Sequence, residues 1–69
     1  MKIPIITSNK MIKIIKKKSF VLVRQSGSHM IFRNPEGVRT TIPRHSKKIL
    51  HPKIVKSIIR DAELTEDDF

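Results

Sequence analysis

The sequence predicts an α+β domain in which two helices flank three short strands, in the order α-β-β-β-α. Three observations predict it. "NKMIKIIKKK" sets apolar residues at helical spacing. Three runs rich in β-branched and aromatic residues follow between residues 19 and 42, separated by Ser-Gly and Asn-Pro-Glu-Gly turn signals. A second helical stripe, "PKIVKSIIRDA", opens on a proline.

The first helix is expected over about residues 9–18, with Ser8 as its N-cap. Met11, Ile14 and Ile15 recur at i, i+3 and i+4, Ile12 widens the stripe, and Lys10, Lys13, Lys16 and Lys17 take the other faces. Strands are expected over about residues 19–25, 28–33 and 38–42, the last ended by Pro43. Their connections are short, so they form an antiparallel meander. "RHSKKILH" reads as a loop, and Pro52 suits the first turn of a helix over about residues 53–62. Ile54, Val55, Ile58, Ile59 and Ala62 form its apolar stripe, and "ELTEDDF" reads as a frayed acidic end over residues 63–69. A three-stranded antiparallel sheet with one wet face and both helices packed on the other buries both stripes most simply. There is no internal repeat, and residues 1–69 read as a single domain.

A chain of 69 residues buries only about 60% of its unfolded surface, so one modest core holds it together. Cysteine is absent, which removes disulfides, thiolate nucleophiles and Cys-based zinc sites. Met1 to Ile6 is too short for a signal peptide, and no apolar run approaches the roughly 18 residues of a membrane span. A soluble cytoplasmic protein is expected. Charge is the strongest compositional signal. Fifteen Lys and Arg face six Asp and Glu, for a formal net of +9. Five of the acids follow residue 60, so residues 1–60 carry all fifteen cations against Glu36 alone, a net of +14. Such a field attracts polyanions, nucleic acid first among them. Its alternative is a solvated surface tuned for solubility.

The same inventory excludes several chemistries. One acid outside the tail rules against paired carboxylates and against a Ser-His-Asp arrangement. Gly27 and Gly37 stand alone in turns and build no phosphate-cradling loop. His29, His45 and His51 lack helical metal-ligand spacing and accompanying carboxylates, so neither a metal nor another cofactor is expected. What remains is imidazole, many ammonium and guanidinium groups, and the hydroxyls of Ser26, Ser28, Thr40 and Thr41. That set suits metal-free cleavage of RNA. RNA brings its own 2′-hydroxyl nucleophile, an imidazole moves protons near neutral pH, and Lys or Arg stabilises charge on the phosphate.

The stretch "FVLVRQSGSHMIFRNPEG", followed by "TTIPRH" and "IVKSIIRDAEL", resembles the HicA toxin family of bacterial and archaeal toxin–antitoxin pairs. The likeness spans roughly Ser8 to Leu64. Its most specific part is Arg24, Gly27, Ser28, His29 and Phe32, with Ile42, Pro43 and His45 adding to it. The resemblance implies a double-stranded-RNA-binding-like fold, an endoribonuclease acting on mRNA, and a HicB-type antitoxin that masks the histidine. By that likeness His29 is the catalytic residue, and Gly27 and Ser28 shape its corner. The chain departs from the family where Ser19 precedes Phe20, a position often held by glycine, and in its acidic tail.

Each residue also has a structural reading. A histidine on an apolar strand is often merely a satisfied structural group. Strand alternation places His29 with Ile31 and Arg33, away from Met30 and Phe32. His45 is either the second proton-transfer group, a phosphate contact or a helix cap; His51 reads as a helix-start residue. Arg24 and Arg33 are the expected phosphate contacts. Lys10, Lys13, Lys16, Lys17 and Lys53 are candidates to grip RNA through backbone and shape, although Lys16 and Lys17 also suit the helix dipole. Phe20 and Phe32 read as core. Two other function classes compete: a non-catalytic RNA- or DNA-binding module, and a membrane-active basic peptide suggested by "KMIKIIKKK". Strands and turns after that segment favour a folded domain with no membrane role and no small-molecule substrate.

Overall fold

In the computed structural model, which describes residues 2–44 and 48–69, the first helix starts one residue earlier than the sequence suggests. This helix, α1, spans Ser8–Lys17, and its N-cap is Thr7, whose side chain accepts the Lys10 N–H at 3.2 Å. Ser8, expected as the cap, is instead fully buried and donates its hydroxyl to the Pro43 carbonyl at 2.8 Å. A threonine next door frees that hydroxyl for a tertiary bond.

Helix α1 ends on a Schellman turn. The Phe20 N–H bonds the Ile15 carbonyl, the Ser19 N–H bonds that of Lys16, and Ser19 takes φ +70°. Phe20 is thereby folded back onto Ile15 and buried. This turn occupies residues 18–20, so β1 begins at Val21, later than expected. The strands are β1 (Val21–Ser26), β2 (His29–Arg33) and β3 (Arg39–Pro43), antiparallel in the order β1-β2-β3. Gly27 and Ser28 form the two-residue turn between β1 and β2. Gly27 has φ +57°, a positive angle at the first central position, as in a type II′ hairpin. Between β2 and β3, the Asn34 side chain accepts the N–H groups of Glu36 and Val38, and Gly37 takes φ +86°.

Helix α2 spans Pro52–Ala62, with Pro52 in its first turn as expected. It ends like α1: Leu64 N–H bonds the Ile59 carbonyl around Glu63 at φ +53°, and Leu64 is buried. The order α-β-β-β-α with a three-stranded antiparallel sheet matches the fold class read from the sequence.

The core lies between one sheet face and the two helices. Met30, Phe32, Thr40 and Ile42 point inward from β2 and β3 and meet Met11, Ile14 and Ile15 of α1 with Val55, Ile58 and Ala62 of α2. Phe20 and Phe32 are core residues, as read from the sequence. Both helices pack chiefly on β3. Every residue of β1 is exposed, Val21, Leu22 and Val23 included, and a bulge at Val23 shifts the register between Leu22 and Arg24. No helix among the described residues is long and apolar enough to cross a membrane.

The acidic end is not frayed. A 3-10 turn over Glu66–Asp68 closes on a capping box in which the Asp68 carboxylate accepts the Thr65 N–H at 2.7 Å. The Asp68 carboxylate also sits 3.5 Å from the Lys18 ammonium, docking the tail on the end of α1. The Thr65 N–H, against the opposing effect of desolvation and with Lys18 adding to it, holds the Asp68 carboxyl below the usual carboxylate range.

Two predictions follow from these ends. Glycine at 19 removes the cost of a β-carbon at positive φ but loosens the unfolded chain, so Ser19→Gly is expected to raise stability by about 0.5–1 kcal/mol in urea melts. A fall in stability places Ser19 in some other, favourable role. Asp68 binds a proton less readily folded than unfolded. Its contribution is therefore complete above the ordinary carboxylate pKa and lost as pH falls through the depressed folded value. The stability gap between the native protein and Asp68→Asn is expected to close below about pH 4, read from urea melts across pH. A gap that does not narrow on acidification below the ordinary carboxylate range contradicts this.

Candidate active site

His29 is the first residue of β2, immediately after the hairpin turn. Three contacts fix its backbone. It pairs with Ser26 on β1 and with Pro43 on β3, while the Ser28 carbonyl accepts the Arg44 N–H. The bonds from Arg44 to Ser28 and from Asn34 to Val38 put residues 28, 30, 32 and 34 at hydrogen-bonded positions of the ladder. His29, Ile31 and Arg33 hold the alternating positions. Pro43 therefore faces His29 where no ladder N–H is needed, and it ends the sheet without leaving an unpaired group. Paired residues at such positions approach closely, and the imidazole and the proline line one cleft.

The His29 side chain is exposed, on the face opposite Met30 and Phe32. It lines an open cleft of about 500 Å³ with Thr41 and Pro43 from β3 and Lys53, Ile54 and Ser57 from α2. Lys53 and Ser57 are four residues apart and share one helix face. Lys53 is placed by the start of α2: the His51 side chain accepts its N–H through Nδ1 at 3.1 Å, and the His51 carbonyl accepts those of Ile54 and Val55. These first-turn donors are occupied, so the cation this helix offers the cleft is the Lys53 ammonium. His51 is thus the helix-start residue the sequence suggested.

The other nominated residues divide between two sides of the molecule. Arg24 pairs with Ile31 and Arg33 with Arg39, so all of these point to the outer face that carries His29. Lys10, Lys13, Lys16 and Lys17 are exposed on α1, in the helical layer, and none lines the cleft. Thr40 is buried, so its hydroxyl is withdrawn from the surface, and Thr41 takes its place in the cleft. His45 lies outside the described residues. Sequence reasoning counted Thr41 only among the available hydroxyls and Ile54 only in the apolar stripe, and it passed over Ser57 and Arg39. The i, i+4 spacing from Lys53 marks Ser57, and strand alternation from Ile42 marks Arg39.

The cleft thus gathers one imidazole, one ammonium and two hydroxyls between the apolar walls of Pro43 and Ile54. A proton acceptor beside a cation is what transesterification at a phosphodiester requires.

No curated protein matches the chain. A family model described as "HicA toxin of bacterial toxin-antitoxin" matches residues 8–64, from the start of α1 through the buried leucine that closes α2. The chain belongs to the HicA toxin family, and with that membership go a toxin's role and a cognate antitoxin.

Proposed function

We propose that this toxin is a metal-independent endoribonuclease that cleaves mRNA in the cytoplasm, with His29 as its catalytic acid/base, and that a HicB-type antitoxin inhibits it by covering that histidine. The exposed imidazole in one cleft with Lys53 carries the reading. Cleavage proceeds by attack of the ribose 2′-oxygen on the adjacent phosphorus, with loss of the 5′-oxygen. His29 removes the 2′-hydroxyl proton as the new P–O bond forms. The Lys53 ammonium offsets the charge that builds on the phosphoryl oxygens. Gly27 contributes its φ of +57°, which lets β1 return as β2 and brings His29 to the mouth of the cleft; Ser28 fixes the corner through its carbonyl. The leaving 5′-oxygen needs a proton, and His45 is the candidate to supply it. Arg24 and Arg33 serve as phosphate contacts, with Lys10, Lys13, Lys16 and Lys17 adding attraction at longer range.

The test is incubation of purified protein with RNA in EDTA. Wild type is expected to cut, and His29→Ala to lose about 10²–10⁴-fold in rate while melting at the same temperature, because the side chain is exposed. Equal cleavage by both proteins removes His29 from the mechanism. Binding without cleavage by either favours the non-catalytic RNA- or DNA-binding module. Lys53→Ala is expected to lower kcat/KM by roughly tenfold or more, the loss of one charged hydrogen bond to the phosphate. Expression of wild type is expected to arrest growth and soluble His29→Ala to relieve the arrest; persistent toxicity of the variant counts against the proposal.

A further inference from the structure

Arg33 and Arg39 face each other across β2 and β3 at a non-hydrogen-bonded position, where side chains lie closest. Like charges directly opposite destabilise a sheet, and no acid among the described residues pairs with either. Arg24 adds a third guanidinium on the same face through its pairing with Ile31. The Arg33 side chain lies over the β2–β3 turn, where a Cβ on Gly37 would come within 3.5 Å of its guanidinium. All three arginines are exposed. Arg33 is four residues from His29 on one strand, about 13 Å at strand rise.

The cations of α1 sit differently. Lys18 is paired with Asp68, and the turn that holds Asp68 brings Glu66 and Asp67 to that end of the helix. The acids other than Glu36 follow residue 60, and Glu36, in the β2–β3 turn, forms no ion pair among the described residues, so the α1 end is partly neutralised while the three sheet arginines are left unpaired. An anion is drawn to the second surface.

We infer that the outer face of the sheet is the track along which a single RNA strand reaches the cleft, with Arg33 and Arg39 as a paired phosphate clamp and Arg24 flanking it. This inference rests on the ribonuclease reading for its substrate. It assigns a role to Arg39 and sets the α1 lysines aside as the main grip. Guanidinium is permanently charged and bonds phosphate oxygens in a two-pronged fashion, which suits a sequence-independent backbone contact. The strand bearing the clamp also bears His29, so one extended backbone meets both.

Binding of a short 2′-O-methyl single-stranded RNA, which has no nucleophile and is not cut, tests the track by fluorescence anisotropy over a range of salt. The Arg33→Ala/Arg39→Ala double variant is expected to bind at least tenfold more weakly. Its log–log salt slope is expected to fall by about 1.4, the release expected for two phosphate contacts on a single strand. Its melting temperature is expected to be no lower than wild type, since a repulsive pair has been removed. Lys13→Ala/Lys16→Ala is expected to weaken binding less than threefold. Arg33→Lys/Arg39→Lys keeps the charge, and its intermediate affinity would mark a two-pronged contact. The inference is overturned if the lysine pair proves the costly one, or if the arginine pair leaves RNA binding unchanged and weakens only capture of an acidic protein partner. Wild type that cleaves ordinary RNA while the arginine variant binds the probe normally defeats the track and leaves the role of His29 standing.

Discussion

The site depends on one backbone junction at the open end of the sheet. There the Ser28 carbonyl accepts the Arg44 N–H, and the Pro43 carbonyl accepts the buried Ser8 hydroxyl. The first bond sets the register that places His29 opposite Pro43; the second ties the start of α1 to the same residue. Pro43 tolerates both because its missing N–H falls at a position where the ladder requires none. Slipping the register by one residue would turn His29 inward and Met30 outward, exchanging an exposed imidazole for a buried one. Position and exposure of the histidine therefore come from backbone pairing, and its own side chain is left uncommitted among the described residues.

Much of this was legible in the sequence because the signals were local. The Gly27 and Asn34–Gly37 turns, the apolar spacing of α1 and Pro52 at the start of α2 each rest on the chemistry of a few neighbouring residues, and each element formed where that chemistry put it. Alternation alone separated His29 from Met30 and Phe32. Tertiary demand decided what local reasoning missed. Thr7 and Ser8 are both competent caps in isolation, serine slightly the better; burial of Ser8 against Pro43 decides between them. The tail reads as frayed because four of its seven residues are acidic, yet Lys18 and the Thr65 cap lie within reach of Asp68. The cleft needed α2 to be brought beside β3, which joins residues 29 and 53 and is invisible to any local window.

Ser19 shows how the family's preference and the physics meet. The C-terminus of α1 requires positive φ at this position because the Phe20 N–H must return to Ile15, and glycine reaches that angle most easily. Serine accepts the strain because burying Phe20 against the core outweighs a cost of about 1–2 kcal/mol. The departure therefore weakens the helix end without moving His29, which lies across the sheet's hairpin from it.

The remaining tension is between stability and function, and the one-sided core resolves it. All packing lies between the helices and the inner sheet face, so side chains on the outer face are free of steric demand. A small domain cannot bury unpaired charge, but it can carry opposed arginines and an exposed imidazole on a face that contributes little to its core. Water screens the repulsion between Arg33 and Arg39 in the free protein, and a phosphate between them turns that repulsion into attraction. The acidic turn docks on the end of α1, where it tempers Lys18 and leaves the arginines on the histidine's face unpaired. In a chain of net charge +9, the one ion pair among the described residues thus lies at the end of α1, and the guanidinium groups beside the histidine stay available to an anion.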